Sequence, residues 1–366
     1  MSGIARALQV CPGDHPPFLD LCKSHAAALA KIGMTVDTVY LGAPQGMRWE
    51  GAAYLGIERG TRRMIDALRG YCAGRTYQLV LAHRYRAYQV ATRIRHVSDA
   101  ATTVVVAHEF GMFARRRRRW RQQLFARDVH FAGVSQAVVD EMRLHHPRLL
   151  HTLVLPNPAD VERLDRVRLS RDEARSRLGI PQRAHVVGMV GRLHPEKRPL
   201  LALQAFASAN LPADARLVFV GDGSLRGVLE SSAASLGVAS RVHFTGYVAD
   251  AAQYLSAFDE LLFASGPTEA FGMVLLEAMF ARVPIICADM PGPRSVLGPD
   301  GLYFAGDETA DVAAALQRGT NLSEAARVQL CGAQRLRAEQ EFSLAAVADL
   351  FAQLLSTDAT RRAAAS

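Results

Sequence analysis

Two acidic residues, Glu269 and Glu277, stand eight positions apart in Pro267-Thr-Glu-Ala-Phe-Gly-Met-Val-Leu-Leu-Glu277, separated by one glycine and an otherwise apolar run. A carboxylate accepts several hydrogen bonds at once, so spaced carboxylates suit the hydroxyls of sugars and ribose. Upstream, Val190-Gly-Arg-Leu-His-Pro-Glu-Lys-Arg198 carries Arg192 and Lys197 on one loop. A bidentate guanidinium beside an ammonium fits an anion whose charge grows during reaction, such as a departing diphosphate. Read alone, this loop is equally a solvated turn whose cations pair with neighbours such as Glu196.

These residues need a scaffold that brings them together. Glu260-Leu-Leu-Phe-Ala-Ser265 reads as a short buried strand, and the apolar pattern through Arg282 continues as a helix. Glu269 is then expected in the loop after the strand, and Glu277 about one turn inside the helix. Open α/β sheets bind ligands outside the carboxyl ends of their strands. A helix start near Gly272 adds unpaired backbone N–H groups and a positive dipole end.

The rest of the chain alternates in the same way. Ala7–Val10, Thr35–Leu41, Leu79–Ala82, Thr103–Ala107 and His130–Ser135 are strand-like, with helical stretches between them, Leu19–Ile32 among these. A second series follows at Ala184–Val190, Leu217–Val220, Val242–Phe244, Leu261–Phe263 and Pro284–Cys287. Strands interleaved with helices predict parallel sheets covered on both faces. The expected fold is α/β, with two doubly wound, Rossmann-like domains at residues 1–165 and 166–343 and a cleft between them. Val161–Leu178 is charged and helical and is expected as a connector. The helix at 344–358 is expected to pack back on the first domain, with a frayed tail from Thr360 to Ser366.

Glu269-x7-Glu277 together with Gly191-Arg192-Leu193-x3-Lys197 resembles retaining glycosyltransferases of family 4, which have the two-domain GT-B fold. The resemblance runs over nearly the whole chain and is strongest from Val187 to Pro291. It implies transfer of a sugar from a nucleotide-diphosphate donor, here expected to be a UDP-sugar. By the same resemblance Glu277 takes the ribose hydroxyls and Glu269 the donor sugar, with Ala270, Phe271, Gly272 and Met273 supplying backbone contacts. Tyr247 and Val248, after Arg241-Val-His-Phe-Thr-Gly246, would line the base pocket. Leu217-Val-Phe-Val-Gly-Asp-Gly-Ser-Leu225 is read first as a structural turn, lying near the nucleotide. Pro291-Gly-Pro-Arg-Ser295 is a variant of a family turn and receives no role.

In the first domain, His108 follows a strand and is the candidate beside the transferred sugar. Cys11-Pro-Gly-Asp-His-Pro-Pro17 occupies the place of the family's glycine-rich loop but keeps only Gly13, assigned to the donor side. Asp14, His15, His83 and Arg84 are candidates for an acceptor. The catalytic set is therefore His108, Arg192, Lys197 and Glu269. No Asp-x-Asp motif suggests a metal-held diphosphate, so no cofactor or metal is expected, the cations and helix dipole serving instead.

Composition narrows the alternatives. The chain has 366 residues, 49% hydrophobic and 21% charged, which suits two cores and excludes broad disorder. No apolar run approaches the ~20 residues that span a bilayer, and the N-terminus reads as a strand rather than a signal peptide. The five cysteines are scattered, without a Cys-x-x-Cys pair or Cys/His cluster in sequence, as expected for reduced thiols in a cytoplasm. The net charge of +8 favours an anionic partner. The run Arg115–Arg121 is by default a solvated helix face. As a functional element it suits anionic headgroups at the inner face of the cytoplasmic membrane, or a phosphorylated glycolipid of lipopolysaccharide core or surface polysaccharide synthesis. Little aromatic interleaving accompanies it, so nucleic acid is not expected. A GT-B-fold epimerase or phosphorylase, and a non-enzymatic basic binding protein, are the rival readings.

Overall fold

The structure is a computed structural model and describes residues 5–365 apart from 17, 47, 95–100, 120–128 and 150. It divides into two compact units, Met1–Ala159 with Glu341–Ser366, and Asp160–Gln340.

The first unit is built on β1 (Arg6–Cys11), β2 (Thr35–Tyr40), β3 (Ala52–Tyr54), β4 (Leu79–His83), β5 (Thr102–Ala107), β6 (Val129–Gly133) and β7 (Thr152–Val154). All pair in parallel in the order β3-β2-β1-β4-β5-β6-β7. The central strands β4, β5 and β6 are buried along their whole length, as their unbroken Val/Leu/Ala runs require. Register pairs Val10 with Ala82 and His83 with Val106. The ends of β1, β4 and β5 therefore lie side by side, at the point where the strand order reverses.

The second unit carries β8 (Val186–Val190), β9 (Arg216–Val220), β10 (Val242–Gly246), β11 (Glu260–Phe263), β12 (Ile285–Ala288) and β13 (Leu302–Phe304), again all parallel. Their order is β10-β9-β8-β11-β12-β13. Here the reversal falls between β8 and β11. A core of Val187, Leu203, Phe206, Phe219, Leu229, Ile286 and Leu316 packs helices against this sheet. The buried Arg175 is fully provided for. Its guanidinium donates to the carbonyls of Ala257 (2.9 Å), Gln182 (2.6 Å) and Ala184 (2.9 Å) and pairs with Asp259 at 2.9 Å.

The structure refines several expectations. The connector is two helices, Val161–Val167 and Arg171–Leu178, because Ser170 caps the second through the Glu173 N–H. The last helix runs from Leu344 to Ala365, through the part of the expected tail that lies among the described residues. It packs on the first unit through Asp358, which accepts from Thr102 Oγ1 at 2.7 Å and lies 2.9 Å from His130 Nε2. The three-residue strands β3, β7 and β13 lie at sheet edges and are too short to show a period.

Candidate functional site

The charged candidates converge at the carboxyl ends of β8 and β11. β8 ends at Val190, and its loop is stitched to the neighbouring strand ends by backbone hydrogen bonds. Gly191 donates to Val220 (3.0 Å), Leu193 to Asp222 (2.9 Å) and Leu225 to Leu193 (3.0 Å). This close approach explains the Gly221-Asp-Gly223 turn. A Cβ on Gly221 would stand 2.0 Å from the Gly191 carbonyl oxygen, and its φ of +141° is glycine's own. The turn is thus structural support for the Arg192 loop.

Lys197 lies in the short turn Pro195–Lys197 that precedes the helix Pro199–Ser208. Its Nζ contacts Glu269 Oε2 and stands 5.7 Å from the centre of the Phe263 ring. The lysine is 28% and the carboxylate 16% exposed, so both are sheltered yet reachable. Arg192 is exposed, and among the described residues no hydrogen bond or ion pair occupies its side chain. The two catalytic candidates Lys197 and Glu269, far apart in sequence, are in contact, with Arg192 on the same loop as the lysine.

The helix after β11 spans Met273–Ala281, with Gly272 at its N-cap in the left-handed region (φ 93°). Glu277 is one turn inside it and half-buried, where the sequence placed it. Ala270 and Phe271 are buried, and Met273 is half-buried. After β10, Val248 is half-buried and Tyr247 is 79% exposed, a large ring held out toward solvent.

Two supporting residues went unrecognised in the sequence. Arg198 takes a left-handed backbone (φ 52°) and bridges both loops, its Nε donating to Ala264 O at 2.5 Å and its Nη2 to Ser265 O at 3.3 Å. Gly292, in the turn given no role, lets the helix Pro291–Leu297 press on the Glu269 backbone. A Cβ there would be 2.1 Å from Glu269 O. The only sequence signal was the glycine between two prolines.

The first unit's candidates have a different character. His83 is fully buried, and its Nδ1 lies 2.8 Å from His108 Nε2. The acceptor role expected of His83 is therefore corrected to an internal one. Burial, then His108 and His25, hold its imidazole well below the usual range; burial, then His25 and Arg84, do the same for His108. Both rings are neutral at neutral pH. His108 itself is half-buried at the end of β5. Asp14 is also buried, accepting from the Gln45 N–H at 3.1 Å, which corrects its acceptor role to loop support. His15 is exposed, Gly13 is half-buried, and Arg84 pairs with Glu109 at 2.8 Å from a left-handed backbone (φ 66°). In the basic run, Arg118 and Arg119 turn back on the carbonyls of Met112 (3.2 Å) and Phe113 (3.5 Å), leaving Arg115–Arg117 exposed. Trp120 and Arg121 lie outside the described residues.

Scattered in sequence, some of the cysteines meet a histidine in the fold. The fold brings together Cys11, Cys22 and His83, all buried, with their ligand atoms within 4.8 Å of one another.

Two α/β units, each built on a parallel sheet with this strand order, are the units of the GT-B fold. HepE of Anabaena in complex with UDP superposes with a TM-score of 0.79 over 97% of this chain and 100% of that one, at 19% identity. Sucrose-phosphate synthase from Thermosynechococcus elongatus does so at 0.77 over 99% and 100%, also at 19%. Residues 170–327 match the family model of glycosyl transferases group 1. A D-inositol 3-phosphate glycosyltransferase of Rhodococcus opacus is 36% identical over 190 residues, covering 49% of this chain and 42% of the relative. A 2-deoxystreptamine glucosyltransferase of Streptomyces kanamyceticus is 30% identical over 192 residues, covering 51% and 46%. The chain spans about half the length of the curated relatives it matches. Among the described residues no helix is long and apolar enough to cross a membrane.

Proposed function

We propose that the protein is a retaining hexosyltransferase that moves a sugar from a nucleotide-diphosphate donor, a UDP-sugar, to an anionic acceptor. The observation that carries this is the Lys197–Glu269 contact at the β8/β11 crossover, with Arg192 exposed on the same loop and Glu277 one turn along the next helix. In this reading Arg192 and Lys197 neutralise the departing diphosphate, and the start of the Met273–Ala281 helix adds its dipole. Glu269 steers the donor sugar while restraining the lysine, and Glu277 binds the ribose. The transfer step needs no metal in this scheme. The leaving phosphate oxygen takes the acceptor proton on the same face of the sugar, which retains configuration.

The acceptor is proposed to be an anionic glycan or glycolipid, as in lipopolysaccharide core or surface polysaccharide synthesis, approached from the cytoplasmic side. Exposed Arg115–Arg117 and His15 support an anionic partner and peripheral contact with an acidic leaflet. Relatives named for a phosphorylated inositol point to the same charge.

The test is a thermal-shift titration with UDP, GDP and their sugars. A ligand at 100 times its Kd stabilises the folded protein by about 2.7 kcal/mol. A UDP-sugar is expected to raise the melting temperature, with loss of the shift in Glu277→Ala. No shift with any nucleotide sugar would sink the proposal.

A further inference from the structure

Cys11 ends β1, Cys22 lies on the helix Phe18–Lys31, and His83 ends β4. The two sulfurs are 3.2 Å apart, and all three side chains have no exposed surface. His83 commits Nδ1 to His108 and leaves Nε2 buried without a partner. His25 follows Cys22 by three residues, so it shares that helix face. Both of its ring nitrogens are buried and unpartnered, and its ring centre is 5.1 Å from that of His83. Buried polar atoms left unsatisfied are costly, and three such nitrogens gather here beside two sulfurs.

We propose that Cys11, Cys22, His83 and His25 form a buried structural site for a thiophilic d10 cation, with zinc as the fitting ion. Three ligand atoms within 4.8 Å leave room for a cation at about 2.3 Å from sulfur and 2.0–2.1 Å from nitrogen. His25 completes a tetrahedron by turning its ring toward the sulfurs. Binding releases the two thiol protons to solvent, and two thiolates then balance a dication, so no net charge is buried. The His83 Nδ1–H would donate to His108 Nε2, an outer partner of the kind that fixes a ligating imidazole. The site ties the ends of β1 and β4 to the first helix.

The test uses the full chain, purified without chelator from zinc-supplemented medium and measured by native mass spectrometry and elemental analysis. One zinc per chain is expected in the wild type and in Cys331→Ser. Affinity should fall at least about 10-fold in Cys22→Ser and less in His25→Ala. Cobalt loaded into the wild type should show a thiolate-to-metal charge-transfer band, which does not depend on any variant folding. A folded wild type that takes up neither zinc nor cobalt overturns the proposal. So does a Cys11–Cys22 disulfide in freshly purified protein, or zinc uptake unchanged in Cys22→Ser.

Discussion

The two sheets share a strand order around their crossover, yet their crossovers hold opposite chemistry. Between β8 and β11 the strand ends carry an exposed arginine, a sheltered lysine and two carboxylates. Between β1 and β4 they carry two buried thiols and the imidazole of His83, kept neutral by burial. Topology thus selects where groups meet, and the few residues just past each strand decide what they do there. Accessible charge at the second crossover suits a polyanionic ligand. A dry, neutral cluster at the first suits a fixed internal role.

Substitutions can break this contrast. The largest effect is expected from Lys197→Ala, which should lower kcat/KM by about 10²–10³-fold, close to 3–4 kcal/mol, in steady-state assays with a UDP-sugar. Its melting temperature should hardly move, because the Lys197–Glu269 pair is partly solvated. Equal losses of activity and stability would show that the pair is structural and erase the distinction. Gly221→Ala comes next. Its Cβ would collide with the Gly191 carbonyl, so the second unit should lose about 1–3 kcal/mol in denaturant unfolding and nucleotide binding should weaken with it. Asp358→Ala should cost about 1.5–3 kcal/mol in the first unit, since it strips buried Thr102 and His130 of their acceptor. Nucleotide affinity, measured by calorimetry, should stay at its wild-type value. The smallest effect is expected from Glu277→Gln, which keeps the shape but weakens charge-assisted hydrogen bonding. About a 10-fold rise in the UDP Kd, near 1.4 kcal/mol, would agree with a ribose contact.

What the sequence revealed follows the same divide. Strand, loop and helix around Glu269 and Glu277 are contiguous, so one local stretch shows both carboxylates and their placement. Gly191 to Lys197 is equally local. The contact between Lys197 and Glu269 depends on β8 lying beside β11, which only the strand order supplies. Gly292 and Arg198 escaped notice because their work is done against the backbone of distant loops. The cysteine cluster escaped for a related reason. Cys22 and His25 form a helical i, i+3 pair visible in the sequence, but Cys11 and His83 join them only through the β1/β4 register. Burial of Asp14 and His83 was likewise illegible, since polar residues after a strand read as exposed until the covering elements are in place.

The chain leaves the first unit and returns to it at one spot. Ala159 donates its N–H to Phe342 O at 2.7 Å and accepts from the Leu344 N–H at 3.2 Å, so the second unit is a two-ended insertion with adjoining ends. During synthesis the early sheet must therefore wait for its final helix, while the inserted segment can already close on itself. A chain emerged only as far as residue 340 would display a finished second body beside a first one whose Phe18–Lys31 helix still lacks Phe351 against His25, and whose Thr102 and His130 still lack Asp358. That interval is when a chaperone would be most needed.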